Sequence, residues 1–332
     1  MSSAPKHSIL VVGSLNADLV VRAPRFPQPG ETLGGEDLQI IPGGKGANQA
    51  VAAARQGVKT AMLGRVGSDS FAAFLLDNLK SNNVDTSRVM PTDSATGAAI
   101  IVVDANGQNS IVLSPGANGR VSPADVETAS FPDFKLLLLQ LEIPAPAVLR
   151  AAQKAREHGL TVVLNPAPAN PLPDELLANV DILIPNESEL SLLTGMPVDD
   201  VSSAERAAKE ILKRGVKTVI VTLGGRGALL VMGAGAAHIN TYKVDVVDTT
   251  AAGDAFIGGF AAKLLESGGS PADMQEQTLA LQNAVRYGCA CGALAATKFG
   301  AQPSLPAKDE VEKFLNQSLI SNFQTCPQNT SF

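Results

Sequence analysis

The sequence predicts an α/β fold with a mainly parallel central sheet, helices on both faces of that sheet, and a small antiparallel flap beside it. From about residue 135 onward, short apolar runs alternate with segments of helical periodicity, which is typical of a parallel sheet covered by helices. Two earlier strand-like runs, and a pair of runs around Asn106-Gly107 that reads as a hairpin, break this alternation and indicate the flap. With 332 residues, 45% of them apolar, the chain can bury a large core.

Each element follows from a local pattern. Strands are apolar or alternating runs that end at turn residues, as the first one does at Gly13. Helices show apolar residues at helical spacing and stop signals such as Gly57. The predicted strands of the main sheet are 8–12, 60–66, 135–141, 160–164, 181–184, 216–222 and 228–232. The predicted flap strands are about 16–23, 33–42, 97–104 and 109–115. The predicted helices are 45–56, 69–82, 144–158, 187–193, 203–214, 253–266 and 278–296.

Composition excludes several classes of protein. The formal net charge of −6 argues against nucleic-acid binding as the main function. Three cysteines are too few for a disulfide framework, and Cys289 and Cys291 are interpreted as small core residues. No apolar run reaches the ~20 residues of a membrane helix, and the polar first residues are too short for a signal peptide, so a cytoplasmic protein is expected. We expect one domain over residues 1–318 and a polar tail over 319–332.

The segment Asp248–Phe256, DTTAAGDAF, lies where a helix is predicted to begin. Its small residues leave backbone N–H groups uncovered at a helix start, a position that attracts anions. Asp254 lies in the first turn. It is either a helix cap or a base that takes a proton from a hydroxyl attacking a phosphate, and the segment alone does not favour one reading over the other.

Three more segments are polar or glycine-rich. Pro42–Asn48, PGGKGAN, permits close approach of the backbone to a ligand but is not the nucleotide P-loop, because Lys45 is followed by Gly46. Thr222–Gly227, TLGGRG, follows a strand, and alone it is no more than a turn. Asn186, at the start of NESE, is by itself interpreted as a helix cap.

Together, in this order, these segments resemble the ribokinase family of sugar kinases, also called the PfkB carbohydrate kinases. The resemblance covers nearly the whole chain, from residue 9 to about 306, and includes both signature regions of the family. It implies a ribokinase-like three-layer α/β/α sandwich in which the flap forms a small β-sheet lid. The motifs that carry it are Gly13–Asp18 (GSLNAD), Pro42–Gln49 (PGGKGANQ), Leu164–Pro168 (LNPAP), Asp248–Asp254 (DTTAAGD) and Gly300–Ser304 (GAQPS).

The resemblance implies a phosphoryl transfer from ATP to the 5-hydroxyl of D-ribose. Asp254 is expected to be the catalytic base. The N–H groups of Ala251, Ala252 and Gly253 are expected to form an anion hole for the charge that develops on the phosphoryl oxygens. The expected sugar-binding residues are Asn16, Asp18, Gly43, Gly44, Lys45, Gly46, Asn48, Glu142 and Asp254.

The resemblance also implies an ATP site and two cations. Glu189, which completes the Asn-x-x-Glu pattern begun by Asn186, is expected to act on Mg²⁺ through water. Cys289 occupies a position in the adenine pocket where the family often has His or Asn. The expected ATP-binding residues are Asn186, Thr222, Leu223, Gly224, Gly225, Arg226, Gly227, Gly253 and Cys289. A K⁺ site is expected at Asp248, Thr250, Ala295, Lys298, Gly300 and Ser304, although spacing alone favours a helix-entry cap for Asp248.

The sequence also bears on the oligomeric state and on alternative functions. A homodimer is expected because exposed flap edges invite pairing and because the family pairs its flaps in this way. The alternatives are another sugar or nucleoside kinase of the same family, such as a fructokinase or a deoxyribokinase, and a sugar-binding regulator without activity. The regulator is disfavoured because Asp254 and its neighbouring glycine are intact.

Overall fold

The computed structural model describes residues 9–267 and 274–324, and its strands form two sheets. The larger sheet has nine strands and the smaller sheet, the flap, has four. The strands are β1 Ile9–Val12, β2 Asn16–Arg22, β3 Gln39–Gly43, β4 Thr60–Val66, β5 Val84–Pro91, β6 Gly97–Val103, β7 Asn109–Ser114, β8 Leu136–Leu139, β9 Thr161–Leu164, β10 Ile182–Leu183, β11 Thr218–Thr222, β12 Ala228–Met232 and β13 Gly235–Ile239. The helices are α1 Lys45–Arg55, α2 Ser70–Ser81, α3 Pro123–Glu127, α4 Ala145–Glu157, α5 Asp174–Leu177, α6 Glu187–Thr194, α7 Val201–Lys213, α8 Ala252–Glu266, α9 Met274–Ala295 and α10 Lys308–Gln324.

The larger sheet runs in the order β13-β12-β11-β10-β9-β8-β1-β4-β5. Strands from β11 to β5 pair in parallel, whereas β12 and β13 add an antiparallel edge. Successive side chains of a strand point to opposite faces, and both faces are buried here. Ile9 and Val11 join the core on one face with α1, α8 and α9, and Leu10 and Val12 join the core on the other face with α4 and α7. The predicted three-layer α/β/α architecture is therefore confirmed.

The flap has the strand order β3-β2-β6-β7 and differs from the antiparallel sheet that was predicted. The β3–β2 and β6–β7 pairs are antiparallel, but β2 and β6 are parallel. The reason is topological: α1, β4, α2 and β5 lie between these two strands in the chain, so β6 enters the flap from the main sheet and not from a hairpin. The predicted flap strand 33–42 was also too long, because β3 spans only Gln39–Gly43.

Other differences lie at the edges of the fold. The prediction omitted β5 and β13, which are the two edge strands of the larger sheet. Helix α10 continues to Gln324, past the predicted domain end at residue 318, so the expected tail begins within a helix. Cys326 lies outside the described residues. Within the described ranges, no helix combines the length and apolar character needed to cross a bilayer.

Candidate active site

The predicted sugar segment joins the flap to the main domain. Strand β3 ends at Gly43 and α1 begins at Lys45, so the glycine-rich segment lies between the two. Gly44 is the N-cap of α1 at φ 87°, and a Cβ there would lie 2.7 Å from the backbone nitrogen of Asn16. A Cβ on Gly43 would lie 2.1 Å from a carboxylate oxygen of Asp18. These glycines therefore let the flap strand β2 and its carboxylate approach the start of α1.

Two polar groups are fixed beside this segment. The Glu142 carboxylate accepts hydrogen bonds from the Ser14 hydroxyl at 2.5 Å and from the Lys45 backbone N–H at 3.0 Å. The Asn16 side-chain oxygen accepts from the amide of Asn118 at 2.7 Å. Glu142 follows β8, whereas Asn16 begins β2, so the domain and the flap both contribute.

Asp254 lies in the first turn of α8 and is buried. Its two carboxylate oxygens accept hydrogen bonds from neighbouring residues of α1. The Asn48 amide donates to Oδ2 at 2.9 Å, and the Gln49 amide donates to Oδ1 at 3.0 Å. The side-chain oxygen of Asn48 is buried and has no hydrogen-bond partner among the described residues. A buried acceptor without a partner fits a site for a hydroxyl donor beside Asp254.

Four carboxylates and one ammonium group determine the electrostatics of the site. Burial, with the negative charges of Glu142 and Asp254, raises the pKa of Asp18 from 3.8 to about 7. Burial also raises the pKa of Glu189. Burial alone would lower the pKa of Lys45, but the surrounding carboxylates, with Asp254 and Glu142 foremost, raise it overall. Lys45 therefore keeps its charge and balances the acidic groups.

The start of α8 provides backbone donors. Ala251 is the N-cap with φ 58°, a left-handed conformation that is strained for a residue with a Cβ. Gly253 and Asp254 follow in the first turn, where N–H groups have no acceptor within the helix. A Cβ on Gly253 would meet no protein atom within 4 Å, so packing does not require this glycine, but a side chain would project into the pocket that Gly253 lines. The Ala252 N–H differs from expectation because it donates to the Thr249 carbonyl at 3.2 Å.

A cavity of about 1340 Å³ adjoins the start of α8 and contains most of the predicted ATP residues. Leu223 is an exception, because its side chain packs in the core of the α4–α7 face. Arg226 lines the cavity, but its guanidinium pairs with Glu187 and donates to the Asp199 carbonyl. The lining residues that were predicted are Asn186, Thr222, Gly224, Gly225, Arg226, Gly227, Gly253 and Cys289.

Asn186 and Glu189 form a reciprocal capping box at the start of α6. The Asn186 side-chain oxygen accepts from the Glu189 N–H at 2.8 Å, and Glu189 accepts from the Asn186 N–H at 2.8 Å. The cap interpretation of Asn186 is thus confirmed. Asn186 also lines the cavity, so the cap and a ligand contact are compatible. Both Glu189 oxygens accept from Asn186, which leaves an outer-shell contact to a metal through water as the arrangement that fits.

Of the predicted cation residues, Thr250 and Gly300 contact Asp248, whereas the Ser304 hydroxyl donates to the Ala301 carbonyl and the Ala295 carbonyl accepts from the Lys298 N–H. The Asp248 carboxylate is the centre of these contacts. Its Oδ1 accepts from the Thr250 N–H at 2.9 Å and from the Thr250 hydroxyl at 2.6 Å, and its Oδ2 accepts from the Gly300 N–H at 2.9 Å. The Asp248 N–H donates to the Ala296 carbonyl. The end of α9 and the Gly300 loop therefore meet the segment before α8. The donor set of carbonyl and carboxylate oxygens has the chemistry of a hard cation site. Across residues 9–267 and 274–324, three or more His, Cys, Asp or Glu side chains do not converge in any metal-binding group.

The cysteines agree with the sequence interpretation. Cys289 and Cys291 are free thiols buried in the core next to α8, and burial raises the pKa of the Cys289 thiol to about 12. Cys289 also reaches the wall of the cavity, so it is both a core residue and a lining residue.

Sequence reasoning missed two groups of residues. The first is the segment 240–246, which lines the cavity but carries no motif, with Phe256, which ends the DTTAAGDAF segment but received no role. The second is a hydrogen-bonded group behind Asp254 that consists of Gln49, Gln140 and Asn165, of which Gln49 and Asn165 lie in quoted motifs but received no role. A signal for the second group existed: Gln140 and Asn165 directly follow β8 and β9, and the carboxyl ends of parallel strands are where ligands bind in α/β sheets.

Comparison with known proteins identifies the family of this chain and structures with a similar fold. The pfkB family of carbohydrate kinases matches residues 6–308. Ribokinase from Staphylococcus aureus (strain COL) is 41% identical over 311 residues, which cover 92% of this chain and 99% of that protein. Deoxyribokinase from Salmonella typhi is 39% identical over 313 residues, which cover 93% of this chain and 98% of that protein. The structure of Arabidopsis thaliana ribokinase complexed with ribose and ATP aligns with a TM-score of 0.84 at 34% identity and covers 93% of this chain and 98% of that chain.

The three-layer architecture, the separate flap and these structural neighbours define a ribokinase-like α/β protein. The family model and the relatives match most of the chain, so the similarity covers the family as well as the fold. The chain belongs to the pfkB family of carbohydrate kinases.

The raised pKa of Asp18 predicts a pH dependence of stability. Because the folded protein holds this proton more tightly than the unfolded chain, the unfolding free energy falls as pH rises from about 4 to about 7. Relative to Asp18→Asn, the ligand-free wild type should lose about 2 kcal/mol between pH 5 and pH 7, measured by denaturant unfolding. Asp77→Asn, an exposed change, is the control and should follow the wild-type curve. Parallel curves for the wild type and Asp18→Asn would contradict the assignment.

Proposed function

We propose that this chain is an ATP-dependent ribokinase that phosphorylates D-ribose at O5 to give D-ribose 5-phosphate. The observation that carries the proposal is the position of Asp254, a buried carboxylate at the start of α8 between the unpartnered Asn48 oxygen and the Gly253 backbone. A base beside exposed backbone donors is the arrangement that phosphoryl transfer to an alcohol requires. Relatives named ribokinase match most of this chain, and this similarity supports D-ribose as the substrate.

In the proposed reaction, the 5-hydroxyl oxygen attacks the γ-phosphorus of ATP while its proton passes to the Asp254 carboxylate. The bond from the γ-phosphorus to the β–γ bridging oxygen breaks, and ADP leaves. The amides at 251–253 face the developing charge on the phosphoryl oxygens, and the helix dipole of α8 adds to their effect. Of these three, the Gly253 donor has the strongest support, since the Ala252 N–H already has a partner.

The sugar site is proposed at Asn16, Asp18, Asn48 and Glu142, with the backbone of 43–46. These side chains offer carboxylate and amide groups, which suit a ligand covered with hydroxyls. Asp18 and Asn16 belong to the flap, and Asn48 and Glu142 belong to the main domain. Sugar binding would therefore draw the flap against the domain and exclude water from the phosphate.

The nucleotide is proposed in the 1340 Å³ cavity between the 222–227 loop and α9. Mg²⁺, which would accompany ATP, neutralises phosphate charge and keeps most of its own waters. Glu189 is the residue proposed to orient those waters, because it is buried near Lys45 and Asp254.

An activating K⁺ is proposed at the loops around Asp248. Each of its carboxylate oxygens has a protein donor, but a carboxylate offers about four lone-pair positions, so capacity for a cation remains. The proposed ligands are the side chains of Asp248 and Ser304 and the carbonyls of Thr250, Ala295, Lys298 and Gly300. Because the Asp248 loop leads directly into α8, a cation there would act on the anion hole through backbone position and charge.

A homodimer formed through the flap is also proposed. Ile40, Leu19, Ile100 and Val112 are successive cross-strand partners, so they form one apolar row across the sheet. Ile40, Ile100 and Val112 are between 46% and 63% exposed. An apolar sheet face of this kind is a place for a partner.

Because ATP is the proposed substrate, we infer that the enzyme acts in the cytoplasm.

The second candidate is a deoxyribokinase, favoured by the 39% identity to one. The two substrates differ by the 2-hydroxyl, and a site that hydrogen-bonds that group rejects the analogue without it. We expect kcat/KM for D-ribose to exceed that for 2-deoxy-D-ribose by about 10²-fold or more. The measurement is coupled ATP turnover with both sugars and D-fructose, with and without K⁺. A higher kcat/KM for either of the other sugars would replace the ribokinase assignment.

The role of Asp254 predicts the effect of Asp254→Asn. The variant keeps the hydrogen-bonding size but cannot accept the proton, so kcat should fall by about 10²–10⁴-fold while ribose still binds by calorimetry. Asp77→Asn, which changes an exposed aspartate on α2, should retain wild-type kcat. Wild-type turnover by Asp254→Asn would refute the base assignment.

The apolar row predicts the effect of Ile100→Asp on assembly. A charge at the centre of a buried sheet contact opposes association, so light scattering at micromolar concentration should give a dimer for the wild type and a monomer for the variant. Leu192→Asp is the matched control, because Leu192 is also about half exposed, at 50%, but lies on α6 away from the flap. A monomeric wild type, or a dimeric Ile100→Asp, contradicts the proposal.

A further inference from the structure

Two buried glutamines lie behind Asp254 and belong to none of the proposed binding sites. Gln49 and Gln140 are both 0% exposed. The Gln49 amide nitrogen donates to Asp254 Oδ1 at 3.0 Å and to Asn165 Oδ1 at 3.3 Å. The Gln49 oxygen accepts from the Gln140 amide at 2.6 Å. Fully buried amides in one connected group are costly to keep without a role, because each polar group must find a partner.

The orientation of each amide in this chain is determined from one end. The Ile184 carbonyl can only accept, and the Asn165 amide nitrogen donates to it at 3.0 Å. Asn165 must therefore present its oxygen to Gln49, so Gln49 must present its nitrogen. The Gln49 oxygen then faces away from Asp254, toward the donor of Gln140. A backbone carbonyl after β10 thus determines that a donor, and not an acceptor, meets the carboxylate.

We propose that Gln49 and Gln140 are positioning residues for the phosphoryl transfer, which hold the Asp254 carboxylate at the angle from which it accepts the proton. The proposal rests on the proposed role of Asp254 as the base. With Asn48 on Oδ2 and Gln49 on Oδ1, rotation of the carboxylate about its Cβ–Cγ bond breaks at least one hydrogen bond. Gln140 acts one step further back, by preventing the Gln49 amide from turning over.

The loop after β1 is shaped around this chain. A Cβ on Gly13 would lie 2.1 Å from the Gln140 side-chain oxygen and 3.0 Å from the Cα of Gly46. A glycine at residue 13 therefore leaves the space that Gln140 occupies. The Gln140 oxygen itself has no partner among the described residues. The bond that its amide nitrogen donates to Gln49 is therefore the contact that explains this buried amide.

The first test is Gln49→Met, which preserves size and removes the amide. We expect kcat to fall by about 10²-fold, the cost of a base misplaced by about 1 Å, with the KM values for ribose and ATP within about 3-fold of wild type. Gln56→Met is the matched control. Gln56 is also buried, at 3% exposed, and its amide bonds to the Pro306 carbonyl and the Tyr287 hydroxyl, away from Asp254. The kcat of Gln56→Met should stay within about 3-fold of wild type, even if its melting temperature falls as far as that of Gln49→Met.

The second test is Gln49→Glu, which keeps the shape and replaces the donor by a carboxylate. A second negative charge beside Asp254 disfavours its charged form, so the acid limb of the kcat–pH profile should move to higher pH by about one unit or more. The shift of this limb reports that residue 49 contacts the titrating base, and the kcat of Gln49→Met reports whether that contact is needed for turnover. An unchanged limb, or a kcat equal to wild type in Gln49→Met, overturns the proposal, as does a loss of ribose binding parallel to the loss of kcat.

Two outcomes separate this proposal from the proposed function. If the wild type does not phosphorylate ribose, or Asp254→Asn retains full activity, the function itself fails. If both behave as expected and Gln49→Met retains wild-type kcat, only the positioning role fails. Should Gln49→Met not fold, Gln140→Met removes the donor to the Gln49 oxygen without touching Asp254, and a decrease in kcat of about 10-fold at unchanged KM supports the proposal. An unchanged kcat there overturns it.

Discussion

The hydrogen bonds between α1 and the Asp254 carboxylate are the contact on which the site depends. They join residues more than 200 positions apart, Asn48 and Gln49 near the start of the chain and Asp254 near its end. Helix α1 leads from the glycine-rich segment of the flap, and α8 begins at the wall of the large cavity. These bonds therefore fix the glycine-rich segment and the cavity wall relative to each other. An uncompensated buried carboxylate would be costly, so the fold requires such donors wherever it buries this acid.

The packing beneath this contact explains why it can be precise. Gly258, on α8, has no room for a side chain, since a Cβ would lie 2.4 Å from the Cβ of Ala52 and 2.7 Å from the nitrogen of Ala53. The two helices thus approach closely through small residues on both sides. Close contact between helices restricts sliding, which in turn restricts the distance between Asp254 and its donors. The alanines of α1 from Ala47 to Ala53 have little or no exposure, and their small side chains also allow the two helices to pack closely.

Much of this arrangement could be predicted from the sequence, and the remainder could not for identifiable reasons. The central strands and long helices follow from local periodicity, and Asp254, Asn48 and Glu142 lie within or beside recognisable motifs. The parallel pairing of β2 with β6 has no local signal, because it depends on the path of the chain through the main sheet. Gln140 was missed because a single polar residue after an apolar strand resembles an ordinary strand end, and Asn165 received no role although it lies in the LNPAP motif. Their role depends on partners that are distant in the chain, and only the fold brings these partners together.

The flap, the loop that contains Phe299 and Ala301, and the start of α8 meet in one small apolar cluster, and this determines how they can move. Val20 and Ile41 of the flap pack with Ala301, and Phe299 and Ala251 lie against the same cluster. Arg22, at the end of β2, lies over the Phe299 ring at 4.6 Å from its centre. Ala251 is the strained N-cap from which the backbone donors of α8 follow. Because tightly packed clusters shift between discrete arrangements and do not deform continuously, the flap cannot leave this position without changing the contacts of the turn at Ala251. The same side chains thus restrain the flap and the turn that is proposed to face the phosphate.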